Sequence, residues 1–156
     1  METDLEELLA DMASLGEAPT LLVACGFDGA LSPDGDDRAV QQSSEALNVL
    51  LALPGTTVAI VSRRPGEEVS ELMFLSGAKG GLRTCGPGEV PALRREVGGV
   101  ALVIDVDPES LAGLAPSDVG VLVDDDEDPD DDGLRRIADA DEVIEVLEEL
   151  VSVRRP

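Results

Sequence analysis

Apolar positions along the chain repeat with two distinct periods. Leu5, Leu8, Leu9, Met12 and Leu15 recur at helical spacing. Thr3 and Glu6 precede them in the arrangement of a capping box. An amphipathic N-terminal helix is therefore expected within residues 1–18. After Pro19 the pattern changes to the unbroken run Leu21 to Cys25, which suits a strand buried on both faces of a parallel sheet. A polar loop, Ser32 to Arg38, leads to a helix capped by Ser43 or Ser44 and running through Leu53, with Ala46, Leu47, Leu50 and Leu51 inward. Pro54-Gly55 stops it, and Thr57 to Val61 is the second buried strand. Pro65 opens a helix over Glu67 to Leu75.

The stretch Ser76 to Gly99 holds seven glycines and two prolines, so only a short strand near Leu82 to Cys85 and a short helix near Ala92 to Glu96 are expected there. Val100 to Val106 is a third strong strand, and Pro108 opens a short helix over Ser110 to Leu114. Val119 to Val123 is a fourth strand, and Leu134 to Ile137 a short edge strand. The last helix covers Glu142 to Val151, with Val143, Val146, Leu147 and Leu150 on its inner face. Strands alternating with helices predict a three-layer Rossmann-like α/β sandwich with a mainly parallel sheet. The length of 156 residues fits a single domain, 1–156.

Charge changes this picture more than overall hydropathy does. Thirty-four acidic residues face eleven basic ones, a formal net charge of −23, and Lys79 is the only lysine. Such a surface repels nucleic acid and anionic membranes. Self-repulsion on this scale is screened only at high salt, so the simplest reading is a cytoplasmic protein of a high-salt organism. The rival reading is an acidic surface that binds a cationic partner.

There is no histidine, which excludes histidine metal sites and Ser-His or Cys-His catalysis. The two cysteines, Cys25 and Cys85, make neither a disulfide framework nor a zinc signature. No apolar run reaches the roughly 20 residues that a membrane helix needs.

Three segments carry candidate chemistry. The first is Leu21-Leu22-Val23-Ala24-Cys25-Gly26-Phe27-Asp28-Gly29, where a strand runs into an acidic turn. The second is Ser62-Arg63-Arg64 at a strand end before a helix, where a hydroxyl, two guanidiniums and the positive helix end make an anion pocket. Against that, both arginines have many surface acids to pair with. The third is the acidic loop 124–133: Asp124 to Asp132 puts eight acids in nine positions. Burial cannot order such a segment, so a solvated loop is expected. Within it, Asp128, Asp130, Asp132 and Gly133, followed by Asp139, match the spacing of a calcium loop. Arg135 and Arg136 fall badly for that reading.

The first segment resembles the opening motif of the haloacid dehalogenase (HAD) phosphatases, and most of all their trehalose-6-phosphate phosphatase branch. Leu53-Pro54-Gly55-Thr56-Thr57-Val58-Ala59-Ile60-Val61-Ser62 is similar to that family's second motif, and Gly133 to Leu150 to its last strand and helix. The resemblance implies a HAD-like core and a magnesium-dependent phosphatase ancestry. It makes Asp28 a vestigial acid/base and cation ligand, and Ser62 the phosphoryl-gripping hydroxyl. Arg63, Arg64 and Lys79 join the phosphate-binding set, and Asp105 and Asp107 the metal set, with Asp124 and Asp125 a weaker alternative. The family's nucleophilic aspartate falls at Gly26, which has no side chain to form a covalent intermediate. Ala30 stands where the family has threonine, and Arg63 where it has glycine. The segment Gly77 to Gly99 is too short for the family's cap domain.

Three functions follow. The first is a catalytically silent relative that binds a protein or a small phosphorylated ligand. The second is a magnesium-dependent phosphatase of atypical mechanism. The third is an acidic module that responds to calcium.

Overall fold

A computed structural model of the chain describes residues 5–27, 41–53, 55–62, 82–106, 108–111, 118–123, 135–137 and 140–154. Six strands form one parallel sheet: β1 (Leu21–Gly26), β2 (Thr56–Val61), β3 (Leu82–Cys85), β4 (Val100–Asp105), β5 (Val119–Val123) and β6 (Arg135–Ile137). Their spatial order is β3-β2-β1-β4-β5-β6. The α/β class expected from the alternating pattern is the class observed. The helices among the described residues are α1 (Leu5–Gly16), α2 (Gln41–Ala52), α3 (Val90–Val97) and α4 (Ala140–Arg154), with short 3-10 turns at Pro87–Glu89 and Pro108–Leu111.

Strand alternation divides the core in two. Leu21, Val23, Cys25 and Phe27 point to one face with Val58, Ile60, Leu102 and Ile104. There they meet Leu8, Met12 and Leu15 of α1, Leu47 and Leu50 of α2, and Val143, Val146, Leu147 and Leu150 of α4. Where the side chains are described, the inner faces read from the helical periodicity are the buried ones, except that Leu9 and Leu51 are only half-buried; that of Leu5 lies outside the described ones. On the other face Leu22, Ala24, Ala59, Val61, Ala101 and Val103 pack against Val90 and Leu93 of α3 and against Leu111.

Several boundaries differ from the sequence expectation. β1 runs one residue further, through Gly26, and β4 stops at Asp105 instead of Val106. α2 begins at Gln41, so Ser43 and Ser44 lie in its first turn instead of capping it. α3 is longer than the Ala92 to Glu96 segment, because Pro87 and Pro91 suit a 3-10 turn leading into a helix start. The helix expected after Pro108 is, in its described part, a single 3-10 turn, Pro108–Leu111. α4 extends to Ala140 and Arg154. Thr3, the helix expected over Glu67 to Leu75 and the acidic loop from Asp124 lie outside the described residues.

The entry to β1 sets the register of its neighbours. Leu21 donates its N–H to the Gly55 carbonyl at 2.8 Å, and Val100 donates to the Thr20 carbonyl at 3.1 Å. Gly99 has φ +69°, and a Cβ there would come within 2.7 Å of Thr20 Cβ and closer still to the Thr20 carbonyl oxygen. Only glycine satisfies both the backbone angle and the space. These contacts start β1 and β4 in step, so that Cys25 lies beside Ile104 and their successors, Gly26 and Asp105, lie side by side at the far end.

Candidate site at the C-terminal edge of the sheet

In an open parallel sheet, ligands bind beyond the carboxyl ends of the strands, at the point where strand order reverses. Here β1 has β2 on one side and β4 on the other, so that point lies at the head of β1. Three expected positions meet there on adjacent strands: Ser62 just past β2, Gly26 at the end of β1, and Asp105 at the end of β4. The ladders continue past the strand ends, with Phe27 donating to the Val61 carbonyl at 2.8 Å and Ser62 donating to the Cys85 carbonyl at 2.9 Å. Phe27 is fully buried, so the chain leaves β1 anchored.

Asp105 is the polar centre of the edge and is almost wholly buried, at 4% exposure. Its Oδ1 accepts the Val106 N–H at 2.7 Å, and its Oδ2 accepts the Ser110 hydroxyl at 2.5 Å. Ser110 is itself fully buried on the 3-10 turn that follows β4. Sequence reasoning did not single out Ser110. The only signal was a hydroxyl five residues beyond an aspartate, behind a proline that starts a turn.

Gly26 and Asp105 are neighbours on the same face of the sheet. A Cβ placed on Gly26 would stand 2.5 Å from Asp105 Cγ, closer still to Oδ1, and 3.2 Å from Asp105 Cα. The Asp105 carboxylate therefore occupies the space that a side chain at position 26 would take.

The thiols lie near this edge, and the Asp105 charge adds to burial in raising both. Cys25 points to the opposite face, as alternation predicts, and its burial pushes the thiol far up. Cys85 is half-buried at the end of β3, and burial, with Glu89 nearby, pushes its thiol up to about 11. It lines an open hollow with Arg83, Glu89 and Glu96, where Arg83 and Glu96 form an exposed ion pair at 2.6 Å.

Asp28, Arg63, Arg64, Lys79, Asp107, Asp124, Asp125 and the calcium-spaced Asp128, Asp130, Asp132, Gly133 and Asp139 lie outside the described residues. Among the described residues no three cysteine or acidic groups cluster as a metal site, and Asp105 is the one expected cation ligand. Both of its oxygens already accept hydrogen bonds. The described residues supply one carboxylate of the oxygen set that magnesium takes, and the other expected ligands lie outside them. Among the described residues no helix is long and apolar enough to cross a membrane.

Strand order and the switch point at β1 define the chain as a Rossmann-like α/β domain, a fold that matches a HAD-like core. The comparison of structures agrees. The chain is similar to a trehalose-6-phosphate phosphatase of Aspergillus fumigatus, with a TM-score of 0.68 over 96% of this chain and 98% of that one, at 13% identity. At that identity the likeness is one of fold. No family model and no curated protein matches the chain in sequence.

Proposed function

We propose that this chain is a HAD-like, trehalose-phosphatase-like domain that has lost nucleophilic phosphoryl transfer and works as a binding or regulatory protein. The observation that carries the reading is the head of β1. Gly26 offers no nucleophile, and the space beside it is filled by the Asp105 carboxylate. A covalent phosphoryl mechanism needs an attacking oxygen at a strand end and a path to it. Asp105, the carboxylate beside Gly26, is buried and engaged with Val106 and Ser110, which supports the reading.

Two features support the rest of the reading. The described part of the chain between β2 and β4 is used for β3, which extends the sheet, and α3, which covers it. That favours an uncapped domain, and a phosphatase without a cap needs another way to exclude water. Ser62 remains at the end of β2, where its hydroxyl and the adjoining Arg63 and Arg64 suit a small phosphorylated ligand bound without turnover.

The test is a phosphomonoesterase assay on the native protein in molar salt with millimolar magnesium, using trehalose 6-phosphate and p-nitrophenyl phosphate. No turnover above the protein-free rate is expected. Turnover that Ser62→Ala abolishes would overturn the proposal in favour of an atypical phosphatase.

A further inference from the structure

Gly26 is extended backbone inside a strand, and it is not among the glycines with positive φ, which are Gly55, Gly98 and Gly99. Backbone conformation therefore places no demand for glycine at position 26, and any residue could adopt it. What requires glycine is space. A Cβ there would lie 2.5 Å from Asp105 Cγ and nearer still to Oδ1, well inside van der Waals contact.

We propose that Gly26 and Asp105 are one coupled feature, in which the β4 carboxylate acts as an internal plug of the vacant acceptor position and Ser110 holds it there. The inference deepens the silent-site reading above and rests on it.

Asp105 cannot leave the plug freely. Turning it away breaks the bond from the Val106 N–H and strands the hydroxyl of the fully buried Ser110. A buried polar group deprived of its partner is costly. Restoring an aspartate at position 26 would also set two carboxylates against each other in a buried place. Gly26→Asp alone therefore does not regenerate an acceptor. Residue 26 regains a side chain only when Asp105 is shortened as well.

The experiment is a double-mutant cycle read by thermal melting in molar salt, with no substrate present. Gly26→Ala should lower Tm by about 5 °C or more in the native background, as overpacking of a tight core does. In the Asp105→Gly background the same substitution should cost less than half as much. Some cost should remain, because Asp105 Cα still lies 3.2 Å from the new Cβ. Asp105→Asn keeps the shape without the charge, so the full cost of Gly26→Ala should return in that background. Equal losses in the native and Asp105→Gly backgrounds, or relief by Asp105→Asn, would overturn the plug. A crystal structure of the native chain reads the same point without any variant: a carboxylate turned away from Gly26, with Ser110 bonded elsewhere, would also refute it. Because the cycle measures stability, its failure is separate from any turnover found in the phosphatase assay.

Discussion

Gly26 and Gly99 are both glycines at the sheet, and the physics that requires each is different. Gly99 is fixed by a positive φ and by the closeness of Thr20, whereas Gly26 is fixed only by what its neighbour on β4 has put into the space. Cys85 gives a second single-residue consequence. Its thiol is raised from the usual 9.0 to about 11 by burial first and by Glu89 second. The folded state therefore holds this proton more tightly than the unfolded chain does. That contribution to stability is fully present below pH 9 and is lost as the pH rises from about 9 through about 11. Cys85 should react slowly with iodoacetamide at pH 8 and speed up toward pH 11, while Cys85→Ser should flatten the loss of Tm between pH 9 and 11. Rapid alkylation of folded protein at pH 8 would contradict the raised value.

At the level of elements, the end of the sheet opposite the site is held by buried charge. Arg94 of α3 donates to both oxygens of Asp118, from Nε at 2.8 Å and Nη2 at 3.0 Å. Asp118 also accepts the Ala101 N–H at 2.9 Å, and Arg94 Nη2 reaches the Gly99 carbonyl at 2.9 Å. The Asp118 side chain is fully buried and that of Arg94 is 17% exposed. This cluster ties α3, β4 and the start of β5 together. Arg94→Ala leaves a buried carboxylate without its cation and should cost about 3 kcal/mol in denaturant melts. Arg94→Lys should recover only part, since an ammonium does not reproduce the planar two-pronged contact. A loss below about 0.5 kcal/mol would place the pair in the weak surface class instead. Arg154 closes the other cover layer in a similar way, donating to Thr56 Oγ1 at 2.6 Å and to the Ala18 carbonyl at 2.7 Å, which joins the end of α4 to the start of β2.

For the whole molecule, net charge is the dominant external variable. A charge of −23 on 156 residues repels itself over about 10 Å in 0.1 M salt and about 3 Å in 1 M salt. Tm should therefore rise with potassium chloride between these concentrations, by more than about 5 °C, equivalent to a couple of kcal/mol. Calcium at millimolar level should add no more than magnesium does if the acidic loop is simply solvated. A calcium-specific rise would favour the metal-loop reading of Asp128 to Asp139. A flat salt profile would show that the buried cores outweigh surface repulsion even in dilute buffer.

Strands β1, β2, β4 and β5 and the inner faces of α1, α2 and α4 were legible in the sequence because burial imposes a period on each, and that period is a local property. Position 26 could be read as empty of a nucleophile from its residue type alone. The same one-dimensional record held no sign that the Asp105 carboxylate stands beside Gly26 or that Ser110 bonds it, nor that Arg94 and Asp118 form a buried pair 24 residues apart. Those facts depend on strand register and on the corner after β4, which bring side chains distant in sequence within a few ångströms. Periodic burial is written residue by residue along the chain, while the occupancy of a shared volume is decided only when two strands lie side by side.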